Sequence, residues 1–159
     1  MSFFDRFLSI FSLVFTASTS ETNELSLDLM PDKAKSLAEI AVQTAEKMRG
    51  KHLDYSPESL KVIDQLVLGF REEGNTAEAM NRTLVVLGCY VGEVMVRSLG
   101  YKWDNPNKKE MSVGFSITGV RASNGSFSNP IGKVFKLMEN GKEDSVAWFY
   151  KVASSERLR

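Results

Sequence analysis

The sequence predicts an α+β domain: one long central helix with flanking helices, and a small antiparallel sheet of two to four strands. Three observations carry this. Apolar residues recur at three- and four-residue spacing through most of residues 31–99, the period of helices buried on one face. Between residues 101 and 128 the period shortens and turn-forming residues crowd in. After residue 129 the helical spacing returns, so helices and strands are segregated rather than alternating.

The first helix is expected over residues 31–49, where Ala34, Leu37, Ala38, Ala41, Ala45 and Met48 keep phase and Gly50 supplies the stop. Ser56-Pro57-Glu58 opens the second. The serine can cap free amides, proline suits the first helical position, and the glutamate faces the positive end of the helix dipole. Leu60, Ile63, Val67 and Phe70 form its buried stripe, and Gly74-Asn75 breaks the chain. The third helix is expected over residues 75–99, with Asn75 and Glu78 as a capping pair and Gly100 at its end. Met80, Leu84, Leu87, Val91, Val94 and Met95 make one apolar stripe, and Val85, Cys89 and Val96 lie opposite it. A helix apolar nearly all round is a central one, covered on two faces.

Met111, Val113, Phe115 and Ile117 alternate with small polar residues or glycine, the period of a half-buried strand. Tyr101-Lys102-Trp103 is its expected partner, joined through the turn-forming Asp104-Asn105-Pro106-Asn107. Asn124-Gly125 marks a further tight turn between Val120 and Phe127. Two short helices close the chain. Asn129-Pro130 caps one that ends at Asn140-Gly141, with Ile131, Val134, Phe135 and Met138 inward; Asp144-Ser145 opens the last, with Val146, Phe149, Tyr150 and Ala153 in phase.

At 159 residues the chain suits one domain with a substantial core. Residues 25–155 form that domain, and residues 1–24 precede it as a separate segment ending in a Ser/Thr-rich linker. Within that segment Phe4, Phe7, Leu8, Phe11 and Val14 or Phe15 share a helical face. Two readings stand. It is an amphipathic helix, docked on the domain or lying on a membrane surface through residues 3–15, or a secretory signal over residues 1–20 with small residues near a cleavage point. Asp5 beside Arg6 makes a poor positive region for the second. The first reading implies a soluble cytoplasmic protein, the second an exported one. No run of about 18 apolar residues supports a transmembrane helix.

Twenty basic residues balance twenty acidic ones, which argues against a dedicated nucleic-acid binder. Residues 101–142 do carry seven basic side chains against three acidic ones, interspersed with Trp103, Phe115 and Phe127, but core packing accounts for aromatics in strand phase. One cysteine, Cys89, and one histidine, His52, cannot assemble a structural zinc site. Cys89 mid-helix reads as a small buried hydrophobe rather than a nucleophile paired with His52. No phosphate-binding glycine loop occurs, and no cofactor is expected.

Leu53-Asp54-x-Ser56-Pro57-x-Ser59-Leu60, then Gly88-Cys89-Tyr90-Val91-Gly92-Glu93-Val94, Gly100-x-x-Trp103, Asp144-Ser145-Val146 and Phe149-Tyr150 form a set. The set resembles a group of small bacterial domains of unknown function, in which a Gly-x-Tyr-x-Gly-Glu helix precedes a Gly-x-x-Trp strand. The resemblance spans residues 53–150 and implies a bacterial origin and an α+β domain, with no activity attached.

Four residues are the candidate ligand or partner site: Tyr90, Glu93, Arg97 and Trp103. Gly88 and Gly92 each cost a helix about 1 kcal/mol relative to alanine, so something must approach closely there, either another element of the fold or a ligand. A partly buried Glu93 beside Tyr90 is suited to general acid or base work. It is equally suited to pairing with Arg97 one turn on, or to bonding Trp103. No second acid at fixed spacing accompanies it, and no residue is assigned a catalytic or metal-binding role. The expected function is therefore a non-catalytic interaction protein, as an inhibitor, immunity-type protein or assembly component, with Tyr101, Trp103, Phe127 and Trp148 as potential interface anchors. The alternative is a small enzyme or ligand-binding protein using Glu93 in a pocket.

Overall fold

A computed structural model describes residues 31–156 and has the α+β architecture: six α-helices and a three-stranded antiparallel sheet. The expected N-terminal segment and linker, residues 1–24, lie outside the described residues. Helix α1 spans Pro31–Arg49. A 3-10 turn, Pro57–Ser59, leads into α2, Leu60–Glu72. Helix α3, Asn81–Leu99, is the axis of the fold. Strand β1 (Lys102–Asp104), the short helix α4 (Lys108–Ser112), and strands β2 (Gly119–Arg121) and β3 (Phe127–Ser128) follow. Helix α5 (Pro130–Asn140), a 3-10 turn (Lys142–Asp144) and α6 (Val146–Glu156) complete it.

Residues 83–95 of α3 are all buried, about three and a half turns with no solvent-facing side. Two different kinds of surface enclose it. On one side α1 lays down Ala34, Ala38, Ala41 and Ala45, a stripe of methyl groups that lets two helix backbones come close. On another, α5 packs Ile131 and Pro130 where α3 has only glycine. A Cβ on Gly88 would sit 2.5 Å from the Ile131 Cα, and one on Gly92 would overlap the Trp103 ring. Both glycines thus serve close contact inside the fold. Gly100, at φ 71°, ends α3 in the left-handed conformation glycine adopts most cheaply.

The sheet order is β1-β2-β3, with Trp103 opposite Val120 and Val120 opposite Ser128. The hairpin between β2 and β3 turns at Asn124-Gly125, as its turn chemistry predicts, with Ala122 N–H donating to the Ser126 carbonyl at 2.9 Å. A second apolar cluster joins the sheet to α3 and α6 through Met95, Leu99, Tyr101, Val120 and Ala153.

Two expectations are corrected. Residues 111–118 are not a strand: β1 pairs with β2, and residues 108–112 are helical. The reason is local. Asn107 accepts from Glu110 N–H at 2.9 Å while Glu110 accepts from Asn107 N–H at 2.8 Å, a reciprocal cap that starts a helix whatever the alternation downstream. Helix α3 begins at Asn81 rather than residue 75, because the Asn75 side chain is turned back onto the Phe70 carbonyl and caps nothing ahead of it. The second helix does open at Ser56-Pro57-Glu58 as expected, with Ser56 Oγ accepting from Ser59 N–H, and its first turn is 3-10.

Helix α6 has a start that its own sequence only half supplies. Ser145 Oγ accepts from Trp148 N–H at 3.1 Å, but the first amides are held by Asp64 of α2. That carboxylate accepts from Val146 N–H at 2.8 Å and from the Ser145 hydroxyl at 2.6 Å.

Candidate functional site

Glu93, Arg97 and Trp103 meet as three partners of one carboxylate. Glu93 is 5 % exposed. Its Oε1 accepts from Arg97 Nε at 3.0 Å and its Oε2 from Trp103 Nε1 at 3.2 Å. The first bond follows from α3 itself, since residues four apart share a helix face and the acid precedes the base. The second needs β1 to fold back alongside α3, which the turn at Gly100 allows. Both structural partners that the sequence offers Glu93 are therefore engaged together, one on each oxygen.

Tyr90 belongs to an adjoining set that includes two residues sequence reasoning missed, Tyr55 and Ser59. Tyr55 N–H donates to the Tyr90 hydroxyl at 2.9 Å, and Ser59 Oγ lies 2.6 Å from the same hydroxyl. Ser59 gives its own proton to the Ser56 carbonyl at 2.6 Å, so Tyr90 is the donor to Ser59. The Tyr55 ring stacks on Tyr90 with centroids 4.9 Å apart, and the Arg97 guanidinium lies over the Tyr55 ring, 3.5 Å from its centroid. One chain of contacts thus runs Trp103, Glu93, Arg97, Tyr55, Tyr90, Ser59. These partners are 31 and 35 residues from Tyr90, beyond the reach of any periodicity.

Tyr55 is the strained member. It is a non-glycine residue at φ 62°, and its hydroxyl is buried without a hydrogen-bond partner. Burial raises the phenols of Tyr55 and Tyr90 above their ordinary range, so both stay protonated at neutral pH. Burial also pushes the Cys89 thiol up to about 12, with the charge of Glu93 adding to it, so Cys89 is a thiol and a poor nucleophile. His52 is exposed in the loop before Tyr55. Among the described residues no three His, Cys, Asp or Glu side chains are grouped to hold a metal ion.

A second network ties the sheet to α4. Arg121 of β2 donates to Glu110 through Nη1 at 2.7 Å and Nη2 at 2.9 Å, and its Nε pairs with Asp104. The same guanidinium lies 5.0 Å from the Phe127 ring centroid. The Arg121 hydrogen bonds hold Glu110 down at about 2 and keep Asp104 below the usual carboxylate range. The four aromatic residues taken as interface anchors separate in the fold. Tyr101 is buried, Trp103 and Phe127 are partly buried in these networks, and Trp148 alone of the four is exposed.

These features define a class: a helix-centred α+β domain whose polar groups are spent on bonding one element to another. Compared with family models, with curated proteins and with solved structures, the chain matches none.

Proposed function

We propose that the chain is a non-catalytic interaction domain, an inhibitor, immunity-type or assembly protein, that grips a protein partner with the outer face of α6. One observation carries the reading. Trp148 is 58 % exposed and Val152, one turn on, is 40 % exposed, while Val146 and Ala153 anchor the other side of the helix in the core. Lys151 lies over the Trp148 ring, 5.2 Å from its centroid, so the indole is presented with a cation beside it. Exposed tryptophan is the residue type that most often dominates a binding interface. The pocket-enzyme alternative has less support, because Glu93 is buried and both of its oxygens are already engaged in holding Arg97 and Trp103 in place.

The test is co-purification from the source cell with full-length chain as bait, beside Trp148→Ala and Glu93→Gln baits. A hot-spot tryptophan is worth about 2 kcal/mol or more, a loss of roughly thirty-fold in affinity. A specific partner that disappears with Trp148→Ala and persists with Glu93→Gln supports the proposal. A partner set indifferent to Trp148, or an activity abolished by Glu93→Gln in a folded protein, removes it.

A further inference from the structure

The short helix α4 and the turn after it make a cationic tip with apolar residues at its outermost points. Met111 is 51 % exposed and Val113 71 % exposed. Lys108 and Lys109, in the same helix, and Lys102 on β1 are exposed as well. The tip is fixed at its base by two devices, the reciprocal Asn107–Glu110 cap and the two-pronged grip of Arg121 on Glu110. That grip has an electrostatic result. The carboxylates in this region, Asp104 and Glu110, both face Arg121, which offsets one of their two charges, so the three exposed lysines leave the tip net positive. Singly exposed apolar residues are ordinary. Here two of them stand two positions apart, Met111 in a helix tied down from below and Val113 just past its end, with lysines at the start of that helix.

We propose that residues 108–114 form a contact for an anionic membrane surface, in which Met111 and Val113 enter the headgroup layer and Lys108 and Lys109 lie against lipid phosphates. The charge is complementary to such a surface, whose negative potential attracts clustered lysines within a Debye length. The apolar part also favours lipid over an acidic protein. A protein interface draws its energy from a large anchor seated in a shaped pocket. Met111 and Val113 are slender and separate, and a headgroup layer accepts such protrusions without a matching cavity. Stable peripheral attachment takes two signals, and the sequence of residues 1–15 offers a second in Phe3, Phe4, Phe7, Phe11 and Phe15.

The test uses the full chain with an environment-sensitive fluorophore placed by Ser112→Cys; Cys89, the other thiol, is buried and protonated. Vesicles of phosphatidylcholine alone are compared with vesicles containing phosphatidylglycerol. Blue-shifted emission is expected with the anionic vesicles only, weakening as salt rises. Each lysine near an anionic surface adds roughly five-fold to partitioning, so Lys108→Gln with Lys109→Gln lowers it roughly thirty-fold. Met111→Ser with Val113→Ser removes the shift while leaving the far-ultraviolet circular dichroism unchanged. Aqueous emission from the label while the chain floats with vesicles would mean that another segment binds, and would overturn the proposal. So would a label that responds to an acidic protein and to no vesicle, or a shift that survives both double variants.

Discussion

Gly88→Ala isolates the contact that seats α5 on α3. The new methyl group would lie 2.5 Å from the Ile131 Cα and 3.0 Å from its Cβ and Cγ1, where ordinary contact begins at 3.4 Å. A backbone atom cannot rotate away, so α5 must withdraw by about 1 Å, carrying the buried Ile131, Val134 and Leu137 with it. Overpacking of this kind costs about 1–3 kcal/mol, and the absence of any side-chain escape puts this site in the upper part of that range. Better helix propensity returns about 1 kcal/mol. The net expectation is a loss of about 2 kcal/mol. Gly69→Ala is the control: it is also helical, in the last turn of α2, but its Cβ would meet nothing within 4 Å. It should gain about 0.5–1 kcal/mol by propensity and a less free unfolded chain. Urea unfolding of both variants reads the difference as opposite shifts in midpoint at constant slope. At about 2–4 °C per kcal/mol for a chain of this size, Gly88→Ala melts some 4–8 °C lower. A Gly88→Ala protein as stable as its parent would refute the close packing of α3 on α5, and with it the explanation of the Gly88 and Gly92 pair.

Two further outcomes follow from the networks. Tyr55→Phe deletes a buried hydroxyl that has no partner and keeps both ring contacts, so it should stabilise by about 1 kcal/mol, whereas Tyr90→Phe strands the Tyr55 amide, takes from Ser59 the bond it accepts, and should destabilise by about 1–3 kcal/mol. Equal signs in urea titrations of the two variants would contradict the bonding described. Glu110 and Asp104 have folded-state pKa values depressed below those of the unfolded chain, so their contribution is complete above about pH 5 and is lost as pH falls through about 4 towards 2. Melting temperature followed across that window should drop less steeply in Glu110→Gln than in the parent, and parallel curves would show that Arg121 does not bind Glu110 in the folded state.

The helices were legible because their signals are local and redundant. Pro31–Arg49 has apolar period and exit glycine in agreement, Pro130–Asn140 has entry chemistry as well, and each runs where those signals place it. Residues 108–118 went the other way because two local signals compete there. The alternation of Met111, Val113, Phe115 and Ile117 points to a strand, but Asn107 and Glu110 already form a helix cap, and Arg121 from β2 then locks that cap in place. The Asn-x-x-Glu spacing was the readable clue. Of the site, Glu93 with Arg97 could be read from helix spacing, and Trp103 as a second partner from its indole. Tyr55 and Ser59 could not, since they reach Tyr90 only when the loop after α1 has been folded across α3.

The carboxylate that Asp64 extends to the first turn of α6 spans 81 to 83 residues of sequence. The closing helix therefore borrows its starting bonds from a distant one, and it is intact only while α2 is in place. Loosening α2 frees the turn that carries Trp148, and by reciprocity a ligand that clamps Trp148 stiffens α2 on the far side of that bond. Under the proposed role of Trp148, recognition at α6 and cohesion of α2 would be two readings of a single equilibrium.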